Sequence, residues 1–248
     1  MDRRTLSALT HADHPIAAPV SDLTVTDLLD RAIRRPDAHV LDLGCGEGAW
    51  LLRAAQLHDG ITTVGVDISD AGFDRTRAEA ARLGVADRLD LIQQDVVEYR
   101  SPRQADVVLS VGAAYAFGEL LPALAAARRH LAEEGVVVLG DCFWEREPEP
   151  GLRAELEDGP QKYADLPTTV ARVVADGWTP VYGHVSTVAE WDEYEWSWTG
   201  SLAAWALDHP DHPDSAEALA KSAAHRDTWL NGYRGVLGFV TLLLRPTP

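Results

Sequence analysis

The chain has 248 residues, with 22 Lys or Arg against 39 Asp or Glu, a formal net charge of −17, 46% hydrophobic residues and 25% charged ones. This is a globular composition long enough for one domain with a sizeable core or for two small ones, and its charge repels phosphate backbones, which argues against nucleic acid and for a small-molecule or cationic partner. Cys45 and Cys142 make no disulfide framework, and no window approaches the ~18 apolar residues of a membrane helix, so the expectation is a cytoplasmic protein with no signal peptide and no membrane contact.

Along the chain, strands are predicted over 39–43, 62–67, 89–93, 106–111 and 135–141, with helical stretches at 47–58, 71–83 and 118–130 between them. Helices of roughly 10–15 residues separating strands mean βαβ units and a parallel sheet. The runs Val107-Val108-Leu109 and Val136-Val137-Val138-Leu139 are apolar without alternation, as strands covered on both faces read. The stretch 144–167 is acidic and rich in Pro and Gly, a surface loop with room for a short helix. A helix over 168–176 has Gly177 placed to end it, 178–188 alternates like a strand, and 236–244 reads as the last strand. Between those two, Trp191, Tyr194, Trp198, Leu202 and Trp205 are spaced as one face of a helix. His209-Pro210-Asp211-His212-Pro213-Asp214 is a turn, and 215–231 is a second helix with Gly232 beyond its end. Five of the eight tryptophans fall in this pair, which reads as an insertion over 189–232 rather than a domain of its own.

The most informative segment is Val40-Leu41-Asp42-Leu43-Gly44-Cys45-Gly46-Glu47-Gly48, an apolar strand running into a glycine-rich turn and a helix. Such a turn lets a ligand approach the main chain and meet the free amides of a helix start. The glycine spacing is G-x-G-x-G, not the G-x-G-x-x-G suited to a dinucleotide pyrophosphate. Asp67 ends the next strand in Val64-Gly65-Val66-Asp67, ~23 residues after Gly44, where a carboxylate can accept from both hydroxyls of a ribose. Gln93-Gln94-Asp95 closes the strand after that. All three features fall at the carboxyl edge of one sheet, where open α/β sheets bind ligands.

At these residues the chain resembles the class I S-adenosylmethionine-dependent methyltransferases. The segment 40–48 is similar to their glycine motif, Asp67 to their ribose-binding acid and Asp95 to the residue beside the adenine amino group, over roughly residues 38–142 in all. The resemblance implies one Rossmann-like α/β domain over 1–248: a seven-stranded, mostly parallel sheet with the last strand antiparallel and helices on both faces. The segments 178–188 and 236–244 become strands six and seven, and 1–35 a helical segment that caps the cofactor. Members usually join the last two strands by a short turn, so the helical insertion is a departure; it is a lid or a dimer surface. S-adenosylmethionine becomes the cofactor and S-adenosylhomocysteine a product, with Asp42, Gly44, Cys45, Gly46, Asp67, Ile68, Asp95, Val96 and Ser110 around them. Asp42 lies inside an apolar strand and requires partners; loop amides or, through water, the methionine ammonium are the two candidates. Cys45 is read as a small residue packed by the cofactor rather than a nucleophile, and neither cysteine has the spacing of a zinc site.

The implied reaction is methyl transfer to oxygen or nitrogen of a small molecule, with amines and cations favoured by the acidic character. The loop after strand four, Ser110 to Gly118, lacks the Asn/Asp-Pro-Pro-Tyr sequence of enzymes that methylate amino groups of nucleic acids and some proteins. Candidate catalytic groups are His14, Tyr115 and Glu145, and no metal is expected. His11 and His14 are placed before the first helix; a solvated terminus is their plainer reading. Tyr115, Phe117, Trp144, Trp191, Tyr194, Glu195 and Trp198 are candidates for the substrate wall, because aromatic faces interleaved with carboxylates attract cations, although a stripe at helical spacing is more simply core. A nicotinamide-dependent oxidoreductase and a cofactor-binding protein without methyl transfer are the alternatives, and monomer and homodimer are both compatible.

Overall fold

Seven strands form one sheet: β1 His39–Leu43, β2 Thr62–Asp67, β3 Leu89–Gln93, β4 Ala105–Val111, β5 Leu131–Trp144, β6 Trp178–Val185 and β7 Leu237–Pro246. The computed structural model describes residues 1, 3–156 and 162–248. The strand order is 3-2-1-4-5-7-6, with β1 to β5 mutually parallel and β7 antiparallel to both of its neighbours. This is the architecture implied by the resemblance. Every residue of β1 is buried, which accounts for the unbroken apolar reading of the central strands: both faces carry helices.

On one face pack α2 (Asp22–Ala32), α3 (Ala49–Leu57) and the start of α4 (Phe73–Arg82), preceded in the chain by α1 (Arg3–Thr10). Val25, Leu28, Leu51, Ala54 and Phe73 meet Val40, Leu109 and Val138 there. On the other face α5 (Leu120–His130) and α7 (Leu166–Ala175) bring Leu120, Leu124 and Val173 onto Leu41, Val108 and Val137. A short α6 (Pro150–Leu156) lies in the expected 144–167 loop, whose part over 157–161 falls outside the described residues. Among the described residues no helix is long and apolar enough to cross a membrane.

Boundaries differ from expectation for local reasons. α7 starts at Leu166 because the Asp165 carboxylate accepts from the Thr168 amide at 2.8 Å. β6 stops at Val185 because Thr187 caps the next helix, α8 (Val188–Asp208): the Glu190 amide donates to Thr187 Oγ1 at 3.2 Å and the Glu190 carboxylate receives the Thr187 amide at 2.9 Å, a capping box. α9 (Ser215–Thr228) ends in a π-turn over Trp229–Tyr233, so Gly232 lies within that turn and not beyond the helix. α1 precedes His11 and His14, correcting the placement of the first helix after them. Its Leu6 and Leu9 pack against Leu202 and Ala206 of α8, a partner that only the folded insertion supplies.

Candidate active site

The loop after β1 is shaped by contacts on both sides. Gly44 and Cys45 donate their amides to Val66 O at 2.9 and 3.1 Å. Gly44 has φ +89°, and a Cβ there would lie 2.4 Å from Ala113 Cβ, so only glycine lets the β1 loop pass the β4 loop. Gly46 has φ +53° and open space where a Cβ would be. The Gly46 amide donates to Asp67 Oδ2 at 2.9 Å, while Asp67 Oδ1 receives the Ser69 amide at 2.9 Å. The β2 acid is thereby held at the tip of the β1 loop.

These residues open onto a cavity of ≈ 540 Å³ at the carboxyl ends of β1 to β4. Asp42, Glu47, Asp67 and Asp70 contribute to its wall, and no Lys or Arg does among the described residues. Asp42 is 4% exposed and accepts no hydrogen bond among the described residues. Burial, and after it the charge of Asp67, push its carboxyl up to about 7. Glu47 is ion-paired to Arg75 at the rim. Burial, with the charges of Asp42 and Asp67, pushes the Cys45 thiol well up, which removes it as a nucleophile. A slightly larger cleft of ≈ 600 Å³ between α2, α3 and α4 contains neither Asp67 nor the loop glycines. Its Arg53, Arg75 and Arg82 are each neutralised by an acid, namely Asp22, Glu47 and Glu79, so it offers no uncommitted charge to a ligand.

The N-terminal segment and the insertion close the far side of the cavity. His11, just past the end of α1, and Tyr194, on α8, both line it. His11 Nδ1 donates to Ser7 O at 2.9 Å, which leaves Nε2 3.4 Å from the Tyr194 hydroxyl. Burial lowers the His11 pKa and raises that of Tyr194. His14 lies behind this pair: its Nδ1 donates to Ile16 O at 2.7 Å and its ring stands edge-on to Tyr194, 5.5 Å between centroids.

Of the residues expected at a cofactor, Asp42, Gly44, Cys45, Gly46, Asp67 and Ile68 are brought together in this cavity. Asp95, Val96 and Ser110 lie outside its lining. Asp95 Oδ1 accepts from the Val97 amide at 2.8 Å, Val96 points into the core under α5, and Ser110 is buried in β4 with its hydroxyl unpartnered. Of the residues expected at a substrate, Tyr115 and Tyr194 reach the cavity; the others do not. Phe117 packs on the α5 side, and Trp144 packs with Trp229 and Tyr233. Glu145 and Trp191 line a separate hollow of ≈ 330 Å³ at the start of α8. Trp198 stacks on His225 at 3.9 Å. Glu195, 2% exposed, accepts from the Tyr233 hydroxyl and from His225 Nε2, each at 2.7 Å, so this acid ties α8 to α9 and to the π-turn. Ser7, Trp50 and Asp70 are lining residues beyond the sequence reading, and Gln93 lines the cavity in place of Asp95 from the same polar cluster. Gln93, at the end of the predicted third strand, carried a usable signal; Ser7 carried none.

Residues 34–199 match the family model described as a methyltransferase domain. The uncharacterized protein YjhP of Escherichia coli (strain K12) is 27% identical over 224 residues, covering 89% of this chain and 90% of that protein. The crystal structure of an S-adenosylmethionine-dependent methyltransferase from Geobacter sulfurreducens, in complex with S-adenosyl-L-homocysteine, superposes with a TM-score of 0.90 at 27% identity, covering 98% of each chain. A methyltransferase from Thiobacillus denitrificans, also in complex with S-adenosyl-L-homocysteine, gives a TM-score of 0.89 at 24% identity over 99% of each chain, a likeness of fold.

Proposed function

The chain belongs to the methyltransferase-domain family, and from that premise we propose that it transfers a methyl group from S-adenosylmethionine to an oxygen or nitrogen of a small, uncharged or cationic molecule. The family sets aside the nicotinamide-dependent oxidoreductase.

The residues present fit a sulfonium nucleoside carrying an ammonium group. Gly46 leaves open space on the cavity side, Asp67 stands at the loop tip to receive ribose hydroxyls, and the mostly exposed Ile68 offers an apolar wall. Asp42 is a buried carboxyl group that accepts no hydrogen bond among the described residues, the arrangement a ligand cation relieves. When bound, the cofactor supplies a methyl carbon already activated by positive sulfur, so the protein has to provide approach geometry and a dry site rather than an activating group. Tyr115 and Tyr194 are placed to position an acceptor. The acidic lining without Lys or Arg favours acceptors that are neutral or positively charged and disfavours carboxylates and phosphates.

The observation that carries this reading is the Gly46–Asp67 hydrogen bond in the same cavity as the unpartnered Asp42. Calorimetry with S-adenosylhomocysteine and with NAD tests it: the first is expected to bind and the second not. Incubation with S-adenosylmethionine and panels of small amines, phenols and alcohols, read by mass spectrometry, then identifies the acceptor. Binding of NAD without S-adenosylhomocysteine overturns the assignment, and cofactor binding with no methylated product across the panels favours a binding protein without transfer.

A further inference from the structure

Two ends of the cavity are chemically distinct. The sheet order puts β2 and β3 on one side of β1, and β4 and β5 on the other. Asp67 and Gln93 mark the first side. Tyr115 follows β4, and Tyr194 stands edge-on to Trp191, 6.4 Å between centroids, in the neighbourhood of Trp144 of β5. His11 joins Tyr115 and Tyr194 in the lining of this cavity, with its Nε2 3.4 Å from the Tyr194 hydroxyl.

The imidazole of His11 is poised in one tautomer. A carbonyl oxygen only accepts, so the contact with Ser7 O requires the proton on Nδ1. Nε2 is then a lone pair directed at the cavity wall, where the Tyr194 hydroxyl is its donor at a long 3.4 Å. Long contacts of this kind are common at catalytic groups before the substrate is in place. Desolvation favours the neutral ring, against smaller opposing effects from the Ser7 carbonyl and the Glu47 charge, while His14 adds to the lowering. Tyr194 is no rival base, because burial keeps its hydroxyl protonated.

We propose that His11 Nε2 is the proton acceptor for the methyl acceptor, a hydroxyl or a protonated amine, and that Tyr194 is the positioning residue that holds the imidazole lone pair toward the cavity. This rests on the methyltransferase reading above and adds to it the group that takes the proton. The O–H or N–H bond of the acceptor breaks and its proton passes to Nε2. The freed electron pair forms the bond to the methyl carbon, the carbon–sulfur pair stays on sulfur, and the imidazolium releases its proton to water. An acidic cavity draws the ammonium in, and a neutral imidazole makes it nucleophilic.

The test needs no knowledge of the natural acceptor. The cofactor analogue sinefungin carries a carbon with an ammonium group in place of the methylated sulfur, so it presents N–H donors where the acceptor would meet the methyl group. Calorimetry of the full chain with sinefungin and with S-adenosylhomocysteine is expected to show His11→Leu losing about tenfold or more in sinefungin affinity while S-adenosylhomocysteine changes by less than about threefold. Tyr194→Phe is expected to lose less, in the same direction. In the nitrogen-15 spectrum of the wild-type imidazole, Nε2 is expected to be unprotonated and to move on addition of sinefungin but not of S-adenosylhomocysteine. Equal losses for both ligands, no loss for either, or an Nε2 resonance indifferent to sinefungin overturns the role of His11. Failure of the wild-type protein to bind either ligand overturns instead the cofactor reading on which the role stands.

Discussion

The backbone amide of Gly46 donates to Oδ2 of Asp67 at 2.9 Å, joining the loop after β1 to the acid that ends β2. Asp67 therefore holds the loop tip while lining the cavity. Asp67→Ala is expected to weaken S-adenosylmethionine binding by ~1–3 kcal/mol, about tenfold to a hundredfold, through lost ribose hydrogen bonds and a loosened loop. Calorimetry decides this, and an unchanged dissociation constant would remove Asp67 from the site.

The two loop glycines separate stability from binding. Gly44→Ala puts a methyl 2.4 Å from Ala113 Cβ in left-handed backbone, so a loss of ~2–4 kcal/mol of stability is expected in thermal unfolding. Gly46 has open space at the same atom. Gly46→Val is expected to keep the fold at a lower melting temperature, because its φ is positive, yet to fail in S-adenosylhomocysteine binding as its side chain enters the cavity. A Gly46→Val protein that binds normally would contradict the placement of the ligand.

Asp42 is expected to make cofactor binding depend on pH. Its carboxyl is raised from the ordinary carboxylate range to about 7, by burial first and by Asp67 second. A raised acid binds a proton in the folded protein that the unfolded chain lacks, so its contribution to stability is present at low pH and is lost as pH rises through about 7. A ligand ammonium favours the ionised form, so binding below about pH 7 is expected to release a proton and to tighten as pH approaches 7. Calorimetry at pH 6.5 in two buffers of different ionisation enthalpy reads that proton directly. Asp42→Asn is expected to abolish the buffer dependence; a wild-type heat independent of buffer would show that Asp42 does not titrate on binding.

Glu190 staples two helix starts together. Its Oε1 accepts from the Ser21 amide at 3.0 Å and Thr24 Oγ1 at 2.8 Å, and its Oε2 from the Thr187 amide at 2.9 Å and His184 Nε2 at 3.0 Å. Burial raises the carboxyl, but these donors together outweigh it and hold it at about 2. The sign is that of a depressed acid: its stabilisation is present above the unfolded value of 4.5 and is lost as pH falls from there through about 2. Glu190→Ala strands these donors and is expected to cost roughly 2–4 kcal/mol at neutral pH, measured by denaturant unfolding. The difference from wild type is expected to shrink in acid; a pH-independent difference would refute the charge-based account.

Much of the cofactor half of the site is legible in the chain because it is local in sequence. Strand, glycine turn and helix follow one another within 39–57, and the acid of the next βα unit arrives at a spacing that a parallel sheet enforces. Asp95 follows the same logic, yet in the folded chain its Oδ1 accepts from the Val97 amide and the residue lies outside the cavity lining. Proximity to a strand end does not say where a short side chain turns.

The acceptor half is not local. His11 and His14 are equivalent as residues on a line; what distinguishes them is the docking of α1, whose Leu6 and Leu9 seat on Leu202 and Ala206 and turn His11 inward. Glu195 and Tyr194 are neighbours on one helix, but the acid is bonded to Tyr233 and His225 while the phenol reaches the cavity. The positions of the strands along the chain, the glycine loop and its acid were determined by the sequence itself, since hydrophobic period and turn chemistry act over a few residues. Which side chains of the N-terminal segment and of α8 line the cavity was decided only by tertiary packing, since that depends on how two helices nearly two hundred residues apart rotate against each other.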